Sequence, residues 1–225
     1  MLSSVFEPFV QQSPICVMAR GLMERVLNPD QLNELFDRTA EEQYTKDLLF
    51  SSVFNLMGLV VLGSYRSVNA AYKDLKKDLG VSIASVYNKL NGIEPATSAQ
   101  LVSYAIEQVE PIIRDLGGTM PPLLPEKRIK LLDGNCIEKS QHRLKELRDI
   151  SSGPLPGKSL VVYDIERRLP IEVIPCEDGH VQERLLLKAL YLSIEKDDVW
   201  IADRNFCTAG FTIQIDRKDA FFYPS

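Results

Sequence analysis

Histidine, tryptophan and cysteine are scarce in this chain: 2, 1 and 4 among 225 residues. The cysteines stand at 16, 136, 176 and 207 with no C-x-x-C pair and no dense spacing, so neither a zinc ribbon nor a disulfide framework is signalled. A reducing cytoplasm is the compartment expected. No positive excess exists either. Against 26 Lys and Arg there are 31 Asp and Glu, a net charge of −5, which excludes a protein that coats nucleic acid by bulk charge. DNA contact has to be local. The most apolar stretch, Leu48 to Leu62, is interrupted by Ser51, Ser52, Asn55 and Gly58 and falls short of the ~20 residues needed to span a bilayer. The first residues lack a basic segment followed by an apolar one, so no secretory signal is expected and no membrane partner. With 45% hydrophobic and 25% charged residues, the composition is that of a globular protein. The length suits two modest domains.

The first half carries the helical period. Asn28-Pro29-Asp30 supplies an N-cap, a first-turn proline and an early acid ahead of Leu32, Leu35 and Phe36. Further helices are expected near 16–27, 45–62, 67–79, 82–91 and 97–116. The segment Gly117 to Pro125, with two glycines and three prolines, reads as a linker. Beyond it come short β-branched or aromatic runs at 128–132, 159–163, 170–174 and 199–202, expected to be strands. A helix is expected over 181–194, where Leu185, Leu186, Ala189, Leu190 and Ile194 recur at helical spacing. The expected fold class is therefore α plus α/β: an all-helical domain over 1–124, then a mixed sheet over 125–225.

Residues 67–91 have the order helix, tight turn, helix, with Gly80 free to take a turn conformation closed to bulkier residues. Leu75, Leu79, Val81, Val86 and Leu90 would form the shared core, and Ser82, Ser85, Asn88 and Lys89 would lie on the outer face of the second helix. Short polar groups and one cation at a helix start suit phosphate and base-edge contacts in a major groove. Against this, Lys76 occupies the position four before Gly80 where the helices normally approach most closely. A plain antiparallel helix pair is the competing reading.

Two aspartates, Asp133 and Asp203, each directly follow an expected strand. Strand ends are where an α/β scaffold exposes groups it also holds rigidly. On neighbouring strands the two could share a divalent ion, and a pair of carboxylates suits Mg²⁺. The duller alternative is a turn or helix cap. Between Glu126 and Arg148 seven basic residues face four acidic ones. This local positive stretch includes Lys139, His142 and Arg143 and would draw in a DNA backbone. Otherwise it is a solvated helix face. Arg204 could hold a DNA phosphate or orient Asp203. His180, Glu183 and Arg184 are read as belonging to a helix start, and Cys136 and Cys207 as small packing residues.

Four ordered blocks, Leu132-Asp-Gly-Asn-Cys136, Leu155-Pro-Gly-Lys-Ser-Leu-Val-Val-Tyr-Asp164, Pro175-Cys-Glu-Asp-Gly-His-Val-Gln-Glu-Arg184 and Trp200-Ile-Ala-Asp-Arg-Asn-Phe-Cys-Thr208, together resemble the catalytic domain of bacterial DDE insertion-sequence transposases of the IS-four type. The resemblance implies a ribonuclease-H-like sheet, with Asp133 and Asp203 as the first two members of an Asp-Asp-Glu triad holding Mg²⁺ or Mn²⁺. It also implies double-stranded DNA, the terminal inverted repeats of an element, as partner, and a nucleoid-associated bacterial setting. In such enzymes the metal activates water to cut the element's end, then the freed 3′ hydroxyl to attack target DNA. The triad's glutamate would lie in a later helix beyond a β-rich insertion, and only 22 residues follow Asp203. The expectation is an incomplete catalytic domain that is inactive alone. Its rivals are a non-catalytic DNA-binding protein that occupies element ends or pairs with a full-length subunit, and a decayed product with an exposed sheet edge that folds poorly.

Overall fold

The computed structural model describes residues 7–43, 47–137, 157–176, 178–179 and 181–225. The chain forms two compact units, one of residues 1–38 and 45–81, the other of residues 39–44 and 82–225. The division between Val81 and Ser82 lies within the helix-turn-helix-like segment, whereas the Gly/Pro segment 117–125 lies inside the second unit.

The first unit is helical: α1 (Glu7–Gln12), α2 (Pro14–Val26), α3 (Pro29–Thr39, whose last residue belongs to the other unit), α4 (Phe50–Val61) and α5 (Val68–Leu79). The start of α3 follows from its sequence. The Asn28 side-chain oxygen accepts the Asp30 N–H at 2.9 Å, satisfying a donor that the first helical turn leaves without a partner. Leu32, Leu35 and Phe36 are buried, and Phe36 stacks on Phe50 of α4 at 4.9 Å between ring centres. Ser67 caps α5 by accepting the Ala70 N–H. Gly80 ends the helix at φ 64°, as its turn role requires.

The second unit adds α6 (Ile83–Asn91), α7 (Pro95–Asp115) and a five-stranded mixed sheet of β1 (Arg128–Ile137), β2 (Gly157–Asp164), β3 (Leu169–Cys176), β4 (Asp198–Ala202) and β5 (Phe221–Pro224). The strand order is β3-β2-β1-β4-β5. Strands β1, β2 and β3 pair antiparallel, while β4 runs parallel to β1 and β5 parallel to β4. The fold class expected from the sequence, helices followed by a mixed α/β sheet, is the one observed.

One face of the sheet carries the core: Leu132, Leu160, Val162, Trp200 and Ala202 pack with Leu187, Leu190, Ile194, Phe206, Phe211 and Ile215. The last two belong to α8 (Ala209–Arg217), a helix the sequence reading did not identify. Helix α7 packs against β3, where Arg167 meets Glu110 at 3.1 Å. Among the described residues, no helix is long and apolar enough to cross a membrane.

Two local expectations are corrected. The helix expected over 181–194 is a 3₁₀ helix, Glu183–Leu192. Its tighter winding brings residues three apart onto one face, so Leu187 and Leu190 are buried while Leu185, expected in the core, is 62% exposed. Strand β1 does not stop at Leu132. Its pairing with β2 continues to Ile137 opposite Gly157, so Asp133 lies within the strand rather than after it. Pro224, a residue that would interrupt a central strand, closes β5 at the sheet's edge, level with Ala202, where a missing N–H can be tolerated.

Candidate metal centre where β4 ends beside β1

Parallel pairing of β1 with β4 matches Arg128 to Asp198, Lys130 to Trp200 and Leu132 to Ala202. The next residue on each strand is an aspartate. The matched pairs end there, so Asp133 and Asp203 are each the first residue beyond the last pair, where β4 ends and β1 runs on. The two strands are neighbours, as a shared site would require.

Each carboxylate makes one local hydrogen bond. Asp133 Oδ1 accepts the Gly134 N–H at 2.9 Å. Asp203 Oδ1 accepts the Asn205 N–H at 2.7 Å and so caps the short 3₁₀ turn Arg204–Phe206. The duller reading of Asp203 as a cap is thus the one observed, and it leaves Oδ2 outside the cap. Both residues are exposed. Carboxylate oxygens open to water are the donor type that a hard divalent ion takes. Among the described residues, no group of three or more His, Cys, Asp or Glu side chains is placed to hold a metal.

Glu183 also approaches this end of the sheet. The sequence reading gave it only a role at a helix start. In the structure its carboxylate lies against Gly134, such that a methyl group built there would sit 2.5 and 2.6 Å from its two oxygens. Glycine is the residue that admits this approach. Nothing in the sequence signals the contact, because it joins residues 49 apart.

The remaining candidates are scattered. Arg204 is exposed beside Asp203. Lys139, His142, Arg143 and His180 lie outside the described residues. Cys207 is exposed rather than packed. On α6, Ser82, Ser85 and Asn88 are exposed, but Ser82 is the helix cap, accepting the Ser85 N–H at 3.1 Å, and the two hydroxyls lie 2.9 Å apart. Lys89, expected on the outer face, is only 8% exposed. It follows the buried Val86 by three positions, so the helical period turns both to the same side.

No family model matches the chain, and no curated protein matches it. Among solved structures, one chain of a pre-cleavage Mos1 transpososome is similar at 13% sequence identity, with a TM-score of 0.31. The match covers 82% of this chain and 61% of that one, so the present chain spans less than two thirds of its neighbour's length.

Proposed function

We propose that this chain is a transposase-type protein, with Asp133 and Asp203 as the carboxylates that hold Mg²⁺ or Mn²⁺ beside double-stranded DNA. The observation that supports this reading is the register of β1 and β4, in which each aspartate is the first residue beyond the last matched pair, Leu132 with Ala202. A divalent ion held there would supply positive charge to the oxygens of a phosphoryl group in transfer. The protein's own contribution is rigidity: Asp133 is fixed by the β1–β2 ladder and Asp203 by its cap on the 3₁₀ turn. The DNA proposed is the terminal repeat of a mobile element, met by Ser82, Ser85 and Asn88 of α6, by Arg204, and by the basic residues Lys139 and Arg143. A second copy of the chain or a longer transposase subunit is the proposed protein partner. The setting proposed is the bacterial nucleoid.

A second reading is favoured by one observation: Asp203 caps the turn Arg204–Phe206, which accounts for its place without a metal. On that reading the chain binds element ends without cutting them and restrains an active subunit. Two measurements separate these readings. Mn²⁺ titration followed by electron paramagnetic resonance should show one bound ion, lost in both Asp133→Ala and Asp203→Ala. A nicking assay on end DNA with Mg²⁺ should give no product if the chain is a binding protein. Metal-dependent nicking abolished by Asp133→Ala would establish the enzyme, and absence of Mn²⁺ uptake would sink the metal site.

A further inference from the structure

The sheet's core contains an ion pair that the site above does not use. Lys130 and Asp198 are 2% and 1% exposed, with Nζ and Oδ2 2.5 Å apart. Lys130 Nζ also donates to the Ser193 carbonyl at 2.8 Å, and Asp198 Oδ2 accepts the Glu195 N–H at 2.8 Å. Trp200 lies alongside, its ring 5.1 Å from the ammonium. The other Asp198 oxygen, Oδ1, and Trp200 Nε1 are buried and have no hydrogen-bond partner. A buried charge pair with two orphaned polar neighbours is poorly arranged for stability, since desolvation of both ions works against it and an apolar pair of similar volume is commonly as stable or more so.

What such a pair can supply is a direction along the strands. Apolar burial tells the two faces of β1 and β4 apart but discriminates weakly against a slip of two residues, which keeps every side chain on its own face. That slip displaces Lys130 along β4 by about 6.6 Å, and Nζ then loses its joint hold on Asp198 Oδ2 and the Ser193 carbonyl. The same slip would part Asp133 from Asp203 by the same distance. We infer that Lys130 and Asp198 are positioning residues: their buried pairing selects the β1–β4 register that sets Asp133 level with Asp203. This rests on the metal reading above only for its consequence, and the register itself is testable without metal.

The test uses the full chain with its four native cysteines replaced by alanine. Leu131→Cys with Ile201→Cys places thiols on level positions, within the Cα separation a disulfide requires. Leu131→Cys with Val199→Cys is offset by two and lies beyond the ~7 Å limit. With the ion pair intact, mild oxidation should cross-link only the level pair. In Lys130→Met/Asp198→Leu the inference expects the offset pair to cross-link as well. It also expects a melting temperature unchanged or raised and Mn²⁺ affinity weakened about tenfold, equivalent to ~1.4 kcal/mol. A merely structural pair would move melting and leave the cross-link pattern alone. Should the Met/Leu variant not fold, Lys130→Gln/Asp198→Asn, which removes the charges at nearly constant shape, is read in the same way. Exclusive level cross-linking in the folded variant overturns the inference. Failure of the unmodified chain to take up Mn²⁺ overturns the metal reading while leaving the register result to stand on its own.

Discussion

Truncating Phe211 should cost the second unit a large share of its stability. The ring is fully buried and joins α8 to the sheet. It meets Trp200 edge-on at 5.6 Å and Phe222 edge-on at 5.9 Å, and lies parallel to Tyr191 at 6.5 Å. A buried Phe→Ala change costs roughly 3–5 kcal/mol through lost transfer energy and the cavity left behind. Edge-to-face partners add about 0.5–1.5 kcal/mol each beyond burial, which places Phe211→Ala at the upper end, near 4–5 kcal/mol. Domains are stable by only about 5–15 kcal/mol, so the variant should be folded but marginal. The chain supplies its own probe, because its single tryptophan, Trp200, is wholly buried beside this ring. Urea unfolding followed by Trp200 fluorescence should shift its midpoint down by about 2 M, taking a slope of about 2 kcal/mol/M. Phe211→Leu, which keeps most of the volume but gives up both edge-to-face contacts, should lose about 1–3 kcal/mol. A loss below about 1.5 kcal/mol for Phe211→Ala at unchanged slope would refute the account of α8 as pinned by this aromatic cluster.

Acid should loosen the segment 41–43. Partial burial opposes ionisation of Glu94, but the N–H groups of Glu41, Glu42 and Gln43 outweigh it and hold the carboxyl below its ordinary range. With the pKa depressed on folding, the stabilisation is present above the unfolded value and is lost as pH falls through the folded one. Amide hydrogen exchange at Glu41 and Glu42 should therefore accelerate below pH 4.5 beyond its intrinsic pH trend. In Glu94→Gln that extra acceleration should vanish, and its persistence would show that another group controls the segment. At the proposed site, Gly134→Ala should displace the Glu183 carboxylate, which is the movable end of a long side chain. Thermal melting should then register a loss of about 1 kcal/mol or less, whereas a collapse of the fold would show Glu183 to be rigidly held.

Much of the architecture was legible because the signals were local. Asn28-Pro29 announced α3, Gly80 the end of α5, and the apolar runs around Ile129, Leu160, Val173 and Ile201 the first four strands. The errors came where a neighbouring element decides. Leu185 and Leu187 are chemically identical in sequence, and only the 3₁₀ winding under the sheet decides that Leu187 goes inside. The strand β1 continues through Asp133, Gly134 and Asn135, residues that ordinarily end strands, because β2 offers them a paired ladder. Lys89 adjoins exposed Asn88 in sequence but shares the buried face of Val86.

The candidate site shows the same division. That Asp203 follows a strand could be read from its own flank, whereas the place of Asp133 inside β1 could not. That they come level depends on how many residues precede each along its strand, five in both cases by the pairing from Arg128 with Asp198, and on nothing in either flank. The buried Lys130 was silent for a related reason: within Arg128-Ile-Lys-Leu-Leu132 it reads as the polar member of an alternating strand, and only its partner 68 positions away explains a charge on the core face. If that pair governs the register, the side chains that determine whether a metal can be shared are not the two that would touch it. A substitution three residues before Asp133 would then weaken metal binding as effectively as one beside it, while leaving both carboxylates chemically unaltered.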